Sequence, residues 1–411
     1  MTRTLRLFGA TLLWLLIGAL LAIVIVPRFL DRRYYTGPVS GHFDGQRFFN
    51  PDGEDTIRLP SGGGRGGFLW RQATGGDGRP PWPSRVSVAA TRPAARVNGD
   101  TMIATWVGHA TVLIQTSGLN ILTDPVWSDR AGPFGLGPKR VVPPGIAMTD
   151  LPKIDLIVVS HNHYDHLDLA TLKRLWDRDR PLIVTGLGNG ALMRSAGIEA
   201  VELDWRKSAV LTDRGVEVDG DGRPRCDPDG GCPGDRATVF VTRNHHWSSR
   251  WFTDRNRALW SSFVIRTGSG NIFFAGDTGF GDGRWPAEAA RFGTPRLAII
   301  PIGAFRFMPG QMGTGSHIGP VDAVEVFRRL GAQTAIPIHW GTFRLSYEAY
   351  DTPPKLLAAA TRCTGQQGFA PVAIGAPFTV PVLTDRRAPV APMDRAALLR
   401  CLDTPAVRAL R

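Results

Sequence analysis

A short segment of the chain, VVSHNHYDHLD, combines residue types and spacing that suit metal binding. It places His161, His163, Asp165 and His166 within six positions. Imidazole nitrogens and carboxylate oxygens both bind borderline divalent ions such as Zn²⁺ at about 2.0 to 2.2 Å. One short loop cannot easily wrap all four side chains around one ion. The spacing therefore favours two ions, with His161 and His163 on one and Asp165 and His166 on the other.

The segments around these residues are predicted to hold them rigidly. The apolar run DLIVVS predicts a buried strand that ends directly before His161. Three further candidates follow predicted strands in the same way: His246 after TVFVT, Asp277 after NIFFAG and His339 after TAIPI. A rigid scaffold presents ligands well from such positions. A lone residue there is more often a capping or hydrogen-bonded group, but the joint occurrence with HNHYDH favours ligation by Asp277 and His339.

The elements that carry these loops mix strands and helices along the whole chain. Short β-rich runs such as MIATWV, TVLIQT, NILTD, SSFVIRT and LAIIPI predict strands. The segments LDLATLKRLW and PVDAVEVFRRL show apolar residues three and four apart, which is typical of amphipathic helices. Because both kinds of element occur in both halves, the sequence predicts an α/β protein in which helices cover sheets.

Composition restricts the class of protein and its partners. The chain has 411 residues, of which 43% are hydrophobic, so it can bury a sizeable core in one large domain or two. Its formal charge of +12 favours anionic partners such as phospholipid surfaces or nucleic acid. No helix-turn-helix, zinc-finger or aromatic RNA-binding pattern occurs, so we expect no nucleic-acid partner.

The N-terminal region contains a long apolar run. Residues 8–26 are 19 uncharged, mostly apolar residues, and they predict a single transmembrane helix. No clear Ala-x-Ala cleavage pattern precedes Tyr34, which favours an uncleaved anchor over a signal peptide. Arginines flank both ends of the run, so the positive-inside rule specifies its orientation poorly.

The metal-binding pattern resembles that of a known superfamily. HxHxDH, a distant His, the Asp of GDTG and a final His together resemble the metallo-β-lactamase superfamily signature. More narrowly, TWVGHATVLI, LTDPVWSDRA, GLGPKR, ELDW, AGDTGF, IPIGA and PIHWGTF resemble the N-acyl-phosphatidylethanolamine-hydrolysing phospholipase D family and its bacterial relatives. The resemblance runs roughly from Asp100 to Tyr350 and implies an αββα sandwich with metals at one edge.

The resemblance also implies a ligand set, with two Zn²⁺ ions per chain as the cofactors. The first zinc would be held by His161, His163 and His246, and the second by Asp165, His166 and His339. Asp277 would bridge both ions, and Asp277 and Asp165 would take the catalytic roles. His245 is the alternative to His246, which is preferred because Trp247 follows it. His109, His317 and His245 are candidates for contacts with the substrate or with the ligands; for His109 and His317 an ordinary hydrogen-bonded role is equally compatible with the sequence.

The implied activity is zinc-dependent phosphodiester hydrolysis of phospholipase D type. A hydroxide bridging the zinc ions would attack the phosphorus of an N-acyl-phosphatidylethanolamine-like phospholipid. Two alternatives stay open: hydrolysis of another ester, lactone, lactam or cyclic phosphate at the same centre, and a non-catalytic, membrane-tethered metal-binding protein. The expected partners are a phospholipid or other anionic phosphodiester and a membrane, and a homodimer is left open.

Domain boundaries and localisation complete these predictions. We predict a membrane anchor at 1–34, a Gly/Pro-rich linker and N-terminal extension at 35–100, the hydrolase domain at 101–385 and a basic tail at 386–411. For a bacterial chain, the expected location is a single-pass anchor with the domain in the periplasm, with the cytoplasmic face as the alternative. Cys226 and Cys232 in CDPDGGC are compatible with a disulfide in an oxidising compartment, and free thiols are the alternative.

Overall fold

Two seven-stranded sheets form the centre of the molecule. The computed structural model describes residues 3–54, 78–213, 215–219, 235–251, 253–308, 310–384 and 393–410. The first sheet, in spatial order, contains β14 (Pro377–Thr379), β1 (Met102–Gly108), β2 (Thr111–Thr116), β3 (Leu119–Thr123), β4 (Leu156–Val159), β5 (Leu182–Gly186) and β6 (Val201–Leu203). The second contains β13 (Ala335–Ile338), β12 (Pro295–Pro301), β11 (Gly270–Phe274), β10 (Ser262–Thr267), β9 (Asp235–Thr242), β7 (Ser208–Thr212) and β8 (Gly215–Asp219).

Helices cover the outer faces of both sheets. The described helices are α1 (Arg3–Leu30), α2 (Leu169–Asp179), α3 (Asn189–Arg194), α4 (Trp285–Ala290), α5 (Pro320–Leu330), α6 (Thr352–Thr364), α7 (Arg395–Leu402) and α8 (Pro405–Arg408). Val158 of β4 and Phe263 of β10 belong to one buried cluster between the sheets. Leu172 of α2 packs in a cluster outside the first sheet, and Val324 of α5 and Leu357 of α6 pack in one outside the second. The predicted helix–sheet–sheet–helix order is confirmed.

Strand direction brings the candidate loops to one edge of the sandwich. β3, β4, β5 and β6 pair in parallel, and β1 runs in the same direction because it is antiparallel to β2, which is antiparallel to β3. In the second sheet, β11, β12 and β13 are parallel, and β9 shares their direction because both β9 and β11 are antiparallel to β10. Loops that follow strands of one direction leave a sheet at the same edge.

The prediction of a transmembrane helix is wrong. Helix α1 has 28 residues, yet among the residues that the structure describes, no helix combines the length and apolar character needed to cross a membrane. The apolar run on which the prediction relied, residues 8–26, lies within α1, so this finding applies to it directly. The single-pass anchor and the periplasmic placement that depended on it are therefore contradicted.

The segment before the first strand packs on the sandwich. Phe43 and Phe48 are each 1% exposed and belong to the cluster between the sheets. Residues 55–77, which include SGGGRGG, lie outside the described part of the chain. The domain boundaries stay predictions, but part of the segment assigned to a linker is packed against the core.

The C-terminal helices are attached covalently to the rest of the protein. Cys401 of α7 forms a disulfide with Cys363 of α6, and Arg395 pairs with Asp322 of α5. These cysteines are separated by 38 residues and belong to no sequence motif, so their pairing is not evident from the sequence. Cys226 and Cys232, for which a disulfide was considered, lie outside the described residues.

We expect replacement of both Cys363 and Cys401 by Ser to lower the free energy of unfolding by about 2 to 4 kcal/mol. The bond closes a long loop, and loop closure restricts the unfolded chain. Denaturant unfolding of the oxidised proteins measures the change. Each single variant should lose as much free energy of unfolding as the double variant, because either substitution abolishes the disulfide bond. An unchanged unfolding midpoint in the double variant would contradict this expectation.

Candidate metal centre

The loops after the aligned strands carry most of the predicted site residues. His109 follows β1, HNHYDH follows β4, His246 follows β9, Asp277 follows β11 and His339 follows β13. His317 lies in the loop before α5. Their side chains are largely buried, and several of them lie against one another at the edge of the sandwich.

Two groups of candidate ligands lie side by side. In the first group, one ligand atom from each member lies within 4.8 Å of the others, and its members are His161, His163, His246 and Asp277. The second group meets the same distance criterion and contains His109, Asp165, His166 and His339. The structure thus brings all seven predicted ligands into two neighbouring clusters, and it adds His109 to the second.

Asp277 lies between the two groups. Its Oδ2 is 3.1 Å from Nε2 of His166 and 3.0 Å from Nε2 of His339, both members of the second group. The same oxygen is 4.0 Å from Nε2 of His246 in the first group. One carboxylate therefore contacts imidazoles from both groups, which is the arrangement that a bridging ligand requires.

Several ligand atoms in these groups have no hydrogen-bond partner among the described residues. They are Nε2 of His163, Nε2 of His246 and Oδ1 of Asp277. A buried polar atom without a partner is costly, so a convergent set of them indicates a ligand-binding site. Nitrogen and carboxylate donors suit Zn²⁺ and similar ions. The residues present therefore fit a pair of divalent metal ions.

The loop between β4 and α2 is held at both ends. The side chain of Asp168 accepts hydrogen bonds from the backbone N–H groups of Ala170 and Thr171 and caps helix α2 directly after the loop. Arg250 donates to the carbonyl of Asn162 at 3.2 Å and to that of Leu167 at 2.7 Å. These contacts fix the loop on either side of His163, Asp165 and His166, so the imidazoles and carboxylate are pre-positioned.

Asp124 is a site residue that sequence reasoning missed. Its Oδ2 is 2.6 Å from Nδ1 of His166, and its two oxygens accept from the backbone N–H and hydroxyl of Ser160. Such a carboxylate orients the ring of a ligating histidine and leaves the other nitrogen free. The signal was available in LTDPVW, where Asp124 follows a buried strand as Asp277 does.

The two adjacent histidines, His245 and His246, have different partners in the structure. Nδ1 of His246 donates to the carbonyl of Ser316 at 2.9 Å, which leaves Nε2 for the first group. Nδ1 of His245 lies 3.0 Å from Oδ2 of Asp52 instead. Among the described residues, His245 belongs to none of the metal-compatible groups. The geometry thus favours His246, as the sequence analysis preferred.

His109 and His317 both lie next to the carboxylates of the site. Nε2 of His109 is 3.0 Å from Oδ2 of Asp165. Nδ1 of His317 is 3.7 Å from Oδ2 of Asp277, and it forms a further compatible group with Asp277 and His339. His109 is 1% exposed, whereas 13% of the His317 side chain is accessible. Of the two, His317 is the more accessible to a substrate.

Burial and the neighbouring charges give the histidines of the site different pKa values, so some are neutral and His339 is protonated at neutral pH. Burial holds the pKa of His161 and His246 well below its usual range and lowers that of His163 to about 3. These imidazoles are neutral and can bind a cation. Burial also acts on His339, but Asp277 and Asp165 outweigh it and raise its pKa to about 9.

The carboxylate of Asp277 is ionised despite its burial. Burial opposes the charge, but His166 and His339 hold the pKa of Asp277 well below its usual range. Negative charge is therefore concentrated at a buried site, and the protons on nearby imidazoles balance it. A divalent ion would replace those protons, so metal binding at this centre should release protons.

Comparisons with known proteins agree with this geometry. The model of the "Beta-lactamase superfamily domain" family matches residues 119–340. The chain is 35% identical to "N-acyl-phosphatidylethanolamine-hydrolyzing phospholipase D 1" of Caenorhabditis elegans, over 62% of this chain and 68% of the relative. It is 34% identical to the mitochondrial "N-acyl-phosphatidylethanolamine-hydrolyzing phospholipase D" of Saccharomyces cerevisiae, over 62% of this chain and 50% of the relative.

A solved structure shows the same fold. It is described as "a possible metal-dependent hydrolase from Veillonella parvula", with a TM-score of 0.50 and 16% sequence identity, and the match covers 68% of this chain and 99% of that one. The predicted superfamily is confirmed, and the candidate metal groups lie mostly within the matched family domain. The chain belongs to the metallo-β-lactamase superfamily and is a metallo-hydrolase of that group.

Proposed function

We propose that this protein is a zinc-dependent phosphodiesterase of phospholipase D type that hydrolyses N-acyl-phosphatidylethanolamine-like phospholipids. The observation that carries the proposal is the pair of buried donor groups that meet at Asp277. Relatives named for this phospholipase activity at 34% and 35% identity supply the substrate class. A formal charge of +12 is compatible with an anionic lipid substrate.

The proposed ligands follow the two groups. One zinc ion would be held by His161, His163 and His246, and the other by Asp165, His166 and His339, with Asp277 contributing to both. The contacts of Asp277 with imidazoles of both groups, at 3.0 to 4.0 Å, support this division. His109, although it meets the distance criterion of the second group, contacts Asp165 and is proposed to orient that carboxylate.

The chemistry of the site follows from these residues. When bound, two zinc ions supply a water of lowered pKa and neutralise charge on the phosphodiester. Asp277 and Asp165 provide the negative charge that holds the ions in place, and Asp124 keeps His166 oriented. His317 has the accessible edge from which a substrate oxygen can be contacted. Addition of the water oxygen to phosphorus, cleavage of the bond between phosphorus and the ethanolamine oxygen, and transfer of the water proton to that oxygen would release an N-acylethanolamine and leave phosphatidic acid.

A panel of substrates tests the proposed activity. Purified, zinc-loaded protein should convert N-acyl-phosphatidylethanolamine in mixed micelles to phosphatidic acid and N-acylethanolamine, both measured by mass spectrometry. A lactone, a cyclic nucleotide and a β-lactam should be turned over at least about tenfold less efficiently, corresponding to roughly 1.4 kcal/mol in transition-state binding. Turnover of one of those compounds in preference to the phospholipid would reject the proposed substrate, and absence of turnover of all four would reject the enzymatic proposal.

We expect about two zinc ions per chain in metal-replete protein. Seven side chains in two adjoining groups offer enough donors for two ions with protein ligands and solvent. Elemental analysis after removal of excess metal measures the ratio, and protein treated with a chelator serves as the blank. A ratio of one or below in carefully reconstituted protein would contradict the two-metal centre.

A further inference from the structure

The segment 35–54, which we call the N-terminal strap, crosses the face of the protein that carries the metal loops. Phe43 and Phe48 anchor it in the core. The backbone N–H of Phe48 donates to the carbonyl of Asn256 at 2.8 Å, and Arg257 donates to the carbonyl of Gln46 at 2.6 Å. The strap is therefore held against Asn256 and Arg257, which follow the loop that carries His246.

Asn50 joins the strap to the backbone of His246. Its Nδ2 donates to the carbonyl of His246 at 2.8 Å, and its Oδ1 accepts from Nε1 of Trp260 at 3.0 Å. Asn50 is 9% exposed, so solvent replaces these bonds poorly. Because Trp260 is fully buried, Asn50 has a rigid support on one side and the candidate ligand on the other.

The ring of His246 is fixed separately from its backbone. Nδ1 donates to the carbonyl of Ser316, and Nε2 points into the first group of candidate ligands. The ring bond sets which nitrogen is free, whereas the bond from Asn50 sets where the backbone that carries the ring lies. Loss of either should displace Nε2 relative to His161 and His163.

Asp52, two residues further along the strap, connects two of the metal loops. Its Oδ2 accepts from the backbone N–H of Asp282 at 2.8 Å, in the loop that begins at Asp277. The same oxygen lies 3.0 Å from Nδ1 of His245, the neighbour of His246. One carboxylate on the strap thus joins the loop that carries His246 to the loop that carries Asp277.

We infer that Asn50 and Asp52 are positioning residues for the metal centre and that the N-terminal strap is part of the functional site. This inference rests on the two-metal site of the proposed function. Asn50 and Asp52 both contact the loop that carries His246, so their loss should affect the ion that His161, His163 and His246 would hold more than the other. Removal of such supporting contacts typically weakens metal binding by about 10- to 100-fold.

The test measures zinc affinity in the full-length protein. Metal-free wild type, Asn50→Ala, Asp52→Asn and the control Asp44→Ala are titrated with zinc against a chromophoric chelator. Asp44 accepts hydrogen bonds only from Gln46 and Arg47 among the described residues, so its loss disturbs the same strap away from the metal loops. We expect Asn50→Ala to lower the affinity for one of the two zinc ions by at least about tenfold, and Asp52→Asn to lower the affinity for the same ion. Asp44→Ala should change the affinity for neither ion by more than about twofold.

The possible outcomes separate this inference from the proposed function. Wild type that binds fewer than two zinc ions would reject the two-metal site itself. Wild type that binds two ions, with Asn50→Ala binding both as tightly, would reject the positioning role and leave the two-metal site standing. Thermal melting of the metal-free proteins identifies a variant that does not fold. If Asn50→Ala does not fold, the near-isosteric Asp52→Asn tests the positioning role instead. Unchanged zinc affinity in that variant would overturn the inference.

Discussion

Asp277→Asn is expected to lower kcat on the phospholipid substrate by on the order of 10²- to 10³-fold while leaving the fold intact. The substitution preserves the shape of the side chain but removes the negative charge that lies 3.0 to 4.0 Å from imidazoles of both metal groups. Without that charge, we expect neither of the two proposed zinc ions to keep its position relative to the other. Steady-state kinetics at saturating zinc, with elemental analysis of the same samples, measure the effect.

A matched control separates lost chemistry from lost folding. Asp177→Asn removes an exposed carboxylate of α2 that pairs with Lys173 and, among the described residues, belongs to none of the metal-compatible groups. It should retain activity within about threefold, since exposed ion pairs contribute about 0 to 1 kcal/mol. Near-normal turnover by Asp277→Asn at full zinc occupancy would show that the GDTG aspartate does not bridge the ions.

His246→Ala should lose close to one zinc ion per chain and most of the activity, whereas His245→Gln should keep both. His246 offers an unpartnered Nε2 to the first group, so its removal takes away one of few donors for that ion. His245 instead faces Asp52, and glutamine retains a donor for that carboxylate. Zinc content and kcat of the two purified variants, measured side by side, distinguish the roles.

The two variants control for each other, because both substitutions affect the same short loop. A general disturbance of the loop would reduce zinc content in both variants. The reverse pattern, with His245→Gln deficient in zinc and His246→Ala replete, would assign the ligand to His245. Only the expected pattern supports His246 as the ligand and leaves Asp52 free to support the loop.

Local sequence was sufficient to nominate the side chains at the centre of the candidate site. HNHYDH places four donors so close together that few arrangements other than metal binding are compatible with them, and the strand before it is apolar at every position. The same pattern of a buried strand followed by a polar residue predicted Asp277 and His339. These predictions depend on short-range spacing and on the edge at which strands end, and both can be read along the chain.

Other features were decided by contacts between distant residues. Asp124 binds His166 across 42 positions, and Asn50 binds the carbonyl of His246 across 196. The disulfide between Cys363 and Cys401 likewise depends on how α6 and α7 pack. A sequence records which groups can form such contacts, but not which of them the fold brings within bonding distance.

The apolar N-terminal run and the His245–His246 pair show the same difference between what local sequence determines and what tertiary contacts decide. The sequence established the donor types, the strand ends and the family resemblance, because each is a property of neighbouring residues. The prediction that residues 8–26 span a membrane was wrong, since apolar composition alone does not establish a helix able to cross a membrane. For the two histidines, the tertiary structure decided which ring faces the metal groups, because the loop conformation and its partners Asn50, Asp52 and Ser316 set the direction of each side chain.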